Sequence, residues 1–168
     1  MQHLIGTKLP DTGLVATDGR MVNPAHVAGL GVYFCYPYTG RPGHADPAGW
    51  DAIPGAHGST PQALGFSKAY EKYQKLGARV FGVSFQDVFW QREFVKRHSL
   101  GVPLLSDHGR KFSTALQLET FKAGLEDYLS RITLIAIDGN IVGLRFPVDV
   151  PARDAEETLA LIDSLGAP

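Results

Sequence analysis

Apolar positions along this chain change period, and the changes outline its elements. Leu14 to Val22, "LVATDGRMV", reads as a short β-hairpin around Asp18-Gly19, a dipeptide that tolerates positive φ. "GLGVYFCYP" follows, with an apolar run from Val32 to Tyr36 that Pro37 stops. Both faces of that run are apolar, as in a buried central strand. The pattern then lapses. From Pro37 to Gly58 the chain holds five glycines and four prolines, with little periodicity. A connection this long is unusual, and such loops commonly shape a site.

Helical spacing resumes beyond the loop. Phe66, Tyr70, Tyr73 and Leu76 recur at intervals of three and four, and Gly77 stands where a helix C-terminus favours glycine. Arg79 to Ser84 predicts a strand, and "DVFWQREFVKRHSLG" a second helix with Phe89, Phe94 and Val95 for its inner face. "VPLLSD" predicts a short strand leading into a small helix near Arg110–Leu116. "SRITLIAIDGNIVGLRF" predicts a strand pair turning at Asp138-Gly139. "DAEETLALIDSL" predicts a C-terminal helix whose acidic start suits the positive end of the helix dipole. The order β-α-β-α-β-β-α predicts one α/β domain over residues 1–168, a mixed sheet with helices on both faces.

Composition narrows the function classes. The chain has 168 residues, 44% hydrophobic and 20% charged, with a net charge of −1, an ordinary globular balance. Near-neutral charge gives no electrostatic reason to expect nucleic acid or an anionic membrane as partner. No apolar run approaches the ~18 residues of a membrane span. The start, "MQHLIGTKLPDTG", shows no basic and apolar signal-peptide pattern. With Cys35 the single cysteine, no intrachain disulfide is available, and a cytoplasmic location is expected.

One stretch, "PGAHGSTPQALGF" from Pro54 to Phe66, carries candidate chemistry. Read on its own, "STPQ" is a helix start. Either Ser59 caps it with Gln62 at the third helical position, or Thr60 caps it with Pro61 first. In its wider setting the stretch resembles the peroxiredoxin (AhpC/TSA) family, in the branch of the bacterioferritin-comigratory, Q-type proteins. There a strand ending Tyr-Pro precedes Pro-Gly-Cys-Thr and a helix. That helix carries Phe, Tyr and Leu-Gly-Ala before a strand ending Gly-Val-Ser. Here Tyr36-Pro37 ends the strand, and from Ser59-Thr60 onward the match runs without a gap through Phe66, Tyr70, Leu76-Gly77-Ala78 and Gly82-Val83-Ser84. "VPLLSDHGRKFSTALQL" resembles the family's "FPLLSD" strand and helix, and "SRITLIAIDGNIV" its arginine-containing strand pair.

The resemblance implies a thioredoxin-like fold with a long loop inserted before the active-site helix. It places Ser59 at the peroxidatic cysteine and Arg131 at the arginine facing it. The family's threonine three residues earlier falls on Ala56; Thr39 beyond Pro37 is the substitute, and Thr60 a second hydrogen-bonding candidate. Leu64 occupies the Q-type resolving position. Pro37, His57, Gly58 and Phe85 are expected to line the substrate site. Counting forward from Pro37 alone would instead put His44 at the cysteine position, but the ungapped match downstream favours Ser59.

A peroxidatic site needs a thiolate. A helix N-terminus and a nearby arginine lower a thiol pKa from about 8.5 into the range that supplies thiolate at neutral pH. An alcohol in the same field stays protonated and a weak nucleophile, and it forms no sulfenic acid. The implied function is reduction of hydrogen peroxide or organic hydroperoxides through a cysteine at position 59, with an external thiol reductant and no cofactor. The chain is inactive as written. The alternative is a naturally cysteine-less member whose pocket binds or transforms another small organic molecule.

Other candidates have plainer readings. Cys35 is either a displaced nucleophile or a small buried hydrophobe. His44, Asp46, Asp51 and His57 could hold a metal, or His57 and Asp51 could activate Ser59, but no ligand spacing supports a metal site. Phe85, Phe89 and Trp90 are core, a homodimer surface, or the wall of an apolar pocket.

Overall fold

The apolar run in the middle of the chain becomes the middle of a sheet. In the computed structural model, which describes residues 1–166, the strands are β1 (Leu14–Ala16), β2 (Met21–Val22), β3 (Leu30–Cys35), β4 (Arg79–Ser84), β5 (Leu104–Ser106), β6 (Thr120–Ala123), β7 (Glu126–Leu129), β8 (Ile132–Ile137) and β9 (Asn140–Arg145). The helices are α1 (Ser59–Lys68), α2 (Tyr70–Lys75), α3 (Val88–His98), α4 (Lys111–Ala115) and α5 (Asp154–Ser164). Seven strands form a mixed sheet in the order β2-β1-β5-β4-β3-β8-β9. β4 runs parallel to both β3 and β5, while β8 pairs antiparallel with β3 and with β9. The predicted hairpin is present, with Leu14 opposite Val22. Asp138 and Gly139 take positive φ at the turn between β8 and β9.

All six residues of β3 are buried, because both sheet faces are covered. Val32 and Phe34 join Phe66, Tyr73, Phe94 and Ile162, which come from α1, α2, α3 and α5. Tyr33 and Cys35 face the other way, onto Phe81, Val83, Phe112 of α4 and Leu129. Gly82 makes the first layer possible. A Cβ there would stand 2.5 Å from Leu104 and 2.7 Å from the Phe34 ring, which lies flat on Phe66 at 4.4 Å. The helices therefore flank the sheet on both faces, as expected, though four of the five sit on one side.

Three details differ from the sequence reading. The first helix is two, broken at Ala69 before Gly77 ends the second with φ +71. Phe89 is 72% exposed and points away from the core, which instead takes Gln91 and Phe94 from α3. Finally, β6 and β7 form a separate hairpin, closed by Gly124 and Leu125. Each of its strands buries one residue fully, Ala123 and Leu129, too little apolar alternation to announce a strand.

That hairpin gives the inserted loop something to fold against. Trp50, in a 3₁₀ turn, is 4% exposed and meets Tyr128 at 5.1 Å, Tyr38 at 5.5 Å and Phe121 at 5.7 Å between ring centres. Ala56, Ala123 and Ile53 complete this satellite core. At the other end of the loop, the Thr39 carbonyl accepts from Trp90 Nε1 at 2.7 Å and from Gln86 Nε2 at 3.0 Å. Trp50→Ala is expected to remove roughly 3 kcal/mol of local stability. Limited proteolysis should then cut within residues 38–58, while hydrogen exchange in β3 and β8 stays at its parent level.

Candidate active site

α1 begins at Gly58, whose φ is +117. A Cβ on Gly58 would stand 2.7 Å from Pro151 Cγ, so only glycine lets the loop turn there and press α1 against the segment before α5. The residues of α1's first turn do not form the expected cap. Gly58 holds the cap position, Ser59 is already helical, and no side chain bonds the first-turn N–H groups. The helix starts earlier than either candidate cap requires, so Ser59 and Thr60 both lie inside its first turn.

Ser59 is 2% exposed, and its Oγ accepts a hydrogen bond from Arg131 Nη1 at 3.1 Å. Arg131 stands immediately before β8, next to the central strand, and is 7% exposed. Nη1 also donates to Gln62 Oε1 at 2.7 Å. Nη2 donates to the carbonyls of Gly55, Ala56 and His57 at 3.2–3.3 Å. The end of the loop thus wraps its backbone oxygens around the guanidinium. Burial pulls the Arg131 pKa down to about 10, partly opposed by the charge of Asp154, so the group is a cation at neutral pH.

A buried relay runs behind it. Gln62 Nε2 donates to Asp154 Oδ2 at 2.9 Å, which leaves its Oε1 to face Arg131. Asp154 is fully buried and also accepts from Thr133 Oγ1 at 2.5 Å, Arg145 Nε at 2.9 Å and Thr158 Oγ1 at 3.2 Å. Arg145 is held in turn by Glu157. Sequence reasoning took Asp154 only as a complement to the helix dipole. Its signal was there: Asp154, Thr158 and Ile162 lie four apart, on the inward stripe of α5.

Ser59 lines a pocket of about 500 Å³ shared with Tyr38, Asp46, Trp50, His57, Gly58 and Thr60. Pro37 and Phe85 line a different, smaller cavity of about 250 Å³, with Trp90, Arg110 and Tyr128; Tyr38 belongs to both. Thr39 is buried, and its hydroxyl donates to Gln86 Oε1 at 3.1 Å. Among the described residues it has no hydrogen bond to Ser59 or Arg131.

The loop histidines do not assemble a triad. His57 Nε2 faces Asp51 at 2.6 Å, and neither residue bonds Ser59. His44 packs edge-on against Trp90 at 5.1 Å. Among the described residues no group of three or more His, Cys, Asp and Glu side chains is placed to hold a metal. Cys35 lies on the sheet face opposite α1, and burial pushes its thiol pKa up. Leu64 is 39% exposed on α1.

The sequence pattern of the AhpC/TSA family matches residues 53–142, a span that contains both Ser59 and Arg131. The chain belongs to the AhpC/TSA family. Among its relatives in that family, the chloroplastic peroxiredoxin Q of Oryza sativa subsp. japonica is 36% identical over 108 residues, 63% of this chain and 42% of that protein. The chloroplastic peroxiredoxin Q of Sedum lineare is 29% identical over 163 residues, 95% of this chain and 78% of the other. The chain spans less than half the length of the rice relatives. A Cys→Ser mutant of PrxQ from Xylella fastidiosa superposes with a TM-score of 0.78 at 21% identity, covering 96% of each chain. The bacterioferritin comigratory protein of Xanthomonas campestris gives 0.74 at 23% identity, covering 94% of this chain and 96% of that one. These likenesses fix the fold as the thioredoxin-like one of the family.

Two outcomes test the geometry. Asp154→Ala would leave Arg145, Gln62, Thr133 and Thr158 facing an empty buried position, and should lower unfolding stability in urea by roughly 3–5 kcal/mol. Cys35 should resist alkylation in the native protein and take one label per chain, read by mass spectrometry, once denatured.

Proposed function

We propose that the chain is a peroxiredoxin whose peroxide-reducing position, residue 59, is occupied by serine. With a cysteine there it reduces hydrogen peroxide or organic hydroperoxides; with Ser59 it is redox-inert. The observation that carries this reading is the hydrogen bond from Arg131 Nη1 to Ser59 Oγ, made at the first turn of α1. A sulfur in place of that oxygen would sit against a buried guanidinium and the positive end of a helix. Both favour the thiolate over the thiol.

Such a thiolate attacks the nearer peroxide oxygen. The S–O bond forms, the O–O bond breaks, and the departing oxygen leaves as water or an alcohol after taking a proton. Arg131 stabilises the negative charge before and during this transfer. The sulfenic acid is then reduced by two thiols, giving water and a disulfide. Leu64 stands at the resolving position and Cys35 is sealed in the core, so both thiols come from an external reductant. Serine supports none of these steps: its alkoxide is too basic to form here, and among the described residues no base bonds its hydroxyl.

The breadth of the pocket favours a second reading, that of a small-molecule site. About 500 Å³ is far more than a peroxide needs, and falls in the range of pockets that enclose organic ligands. Under it the chain binds or transforms another compound at the same place.

Ser59→Cys assayed with hydrogen peroxide and a dithiol is the deciding experiment. Thiol-dependent turnover is expected where the parent shows none, and an unchanged rate would sink the peroxidase reading.

A further inference from the structure

We propose that the smaller cavity, between β7 and the start of α3, is a receptor for a small quaternary ammonium ion, held by the rings of Tyr38 and Tyr128 and by the Glu126 carboxylate. It shares only Tyr38 with the Ser59 pocket, and the proposal stands apart from both readings of that pocket.

The cavity holds about 250 Å³, below the ~300–1,000 Å³ of pockets for drug-sized ligands, so it suits a compact group. Four half-buried aromatic rings line it: Tyr38, Phe85, Trp90 and Tyr128. Aromatic faces carry negative potential and attract cations within ~6 Å of the ring centre. The chain already uses two of the four in this way. The Arg110 guanidinium lies 4.7 Å over Phe85, and that of Arg41 lies 5.8 Å over Trp90. Among the described residues no cation lies over Tyr38 or Tyr128. These two rings stand at 90° to one another with centres 6.1 Å apart, so they make a corner in the wall rather than a stack.

Charge points the same way. Asp87, Glu126 and Asp127 line the cavity against one guanidinium, Arg110. Arg110 is bound to Asp127 at 3.2 Å, and Lys122 holds the same carboxylate at 2.8 Å from outside the lining. Asp87 caps α3, accepting from the Trp90 N–H at 2.8 Å. Glu126 has no hydrogen bond or ion pair among the described residues, and it is exposed at the hairpin that borders the cavity. Burial pushes the Tyr128 phenol pKa up and the Glu126 charge pushes it further, so the field of that carboxylate reaches the ring. His108 turns Nδ1 to the Phe85 carbonyl at 3.2 Å, which leaves Nε2 as an acceptor in the neutral ring.

The walls also select the type of cation. A primary ammonium carries three N–H donors that need oxygen partners, and ring faces do not replace the water it would lose. A trimethylammonium group spreads its charge over methyl surfaces, which pack against rings and ask for no acceptor. The Tyr38–Tyr128 corner offers it two such faces, and Glu126 supplies a countercharge at the rim. An anion would meet negative ring faces and an unpaired carboxylate, with the nearest cation already engaged by Asp127.

Calorimetric titration of the whole chain with choline and with its uncharged isostere 3,3-dimethylbutan-1-ol, at matched ionic strength, tests this. Choline should bind at one site per chain, and the alcohol about tenfold more weakly or not at all. Tyr128→Leu should weaken choline about tenfold, whereas Tyr128→Phe, which keeps the ring, should bind it as the parent does. Tyr128 also packs on Trp50, so its loss could loosen the loop. Glu126→Gln avoids that difficulty, because the side chain is exposed and unpaired; it should weaken choline about threefold or more. No binding of choline, equal binding of choline and the alcohol, loss of binding in Tyr128→Phe, or parent affinity in Glu126→Gln would each overturn the proposal.

Discussion

A buried guanidinium has to be solvated by whatever surrounds it, and the site is organised by that requirement. Arg131 emerges beside the central strand and is nearly buried. Three consecutive carbonyls of the loop, at Gly55, Ala56 and His57, therefore turn inward to meet it. Turning them inward forces the chain through a left-handed residue at Gly58 before α1 can start. The glycine in turn allows contact with Pro151, so the entry to α1 and the entry to α5 are packed as one unit. The loop end, the helix start and the C-terminal helix all take their positions from one side chain.

The polar relay extends that dependence across the sheet. Gln62 presents its oxygen to Arg131 because its nitrogen is claimed by Asp154, and Asp154 is anchored by Thr133 on β8 and Arg145 on β9. Each member satisfies the next, so a buried network of this kind is stable only as a whole. The position of Ser59 is thereby tied to residues that never touch it.

Much of this was legible in the sequence, and the rest was hidden for identifiable reasons. The strands of the central sheet were readable because burial on both faces leaves unbroken apolar runs, as in "VYFCY". The hairpin at residues 120–129 was not, because one residue per strand is fully buried and the others are polar or half-covered. Arg131 and position 59 emerged from resemblance, since nothing in their local pattern separates a buried arginine from a surface one. The cap assignment for Ser59 went astray because local spacing does not show that the left-handed Gly58 starts the helix one residue earlier. Phe89 misled for the opposite reason: hydrophobicity announces a core residue, yet the inward place near it is filled by Gln91, whose amide bonds Ser84 and the Leu105 carbonyl.

The satellite core around Trp50 has a consequence for how this scaffold can diversify. The loop's aromatic anchor rests on Tyr38, Phe121 and Tyr128, and shares no residue with the two clusters that hold the sheet together. Substitutions around this anchor, away from the carbonyls that hold Arg131, can therefore accumulate without disturbing the sheet. The middle of the loop can thus vary while the frame stays, whereas its end at Gly55, Ala56 and His57 belongs to the frame.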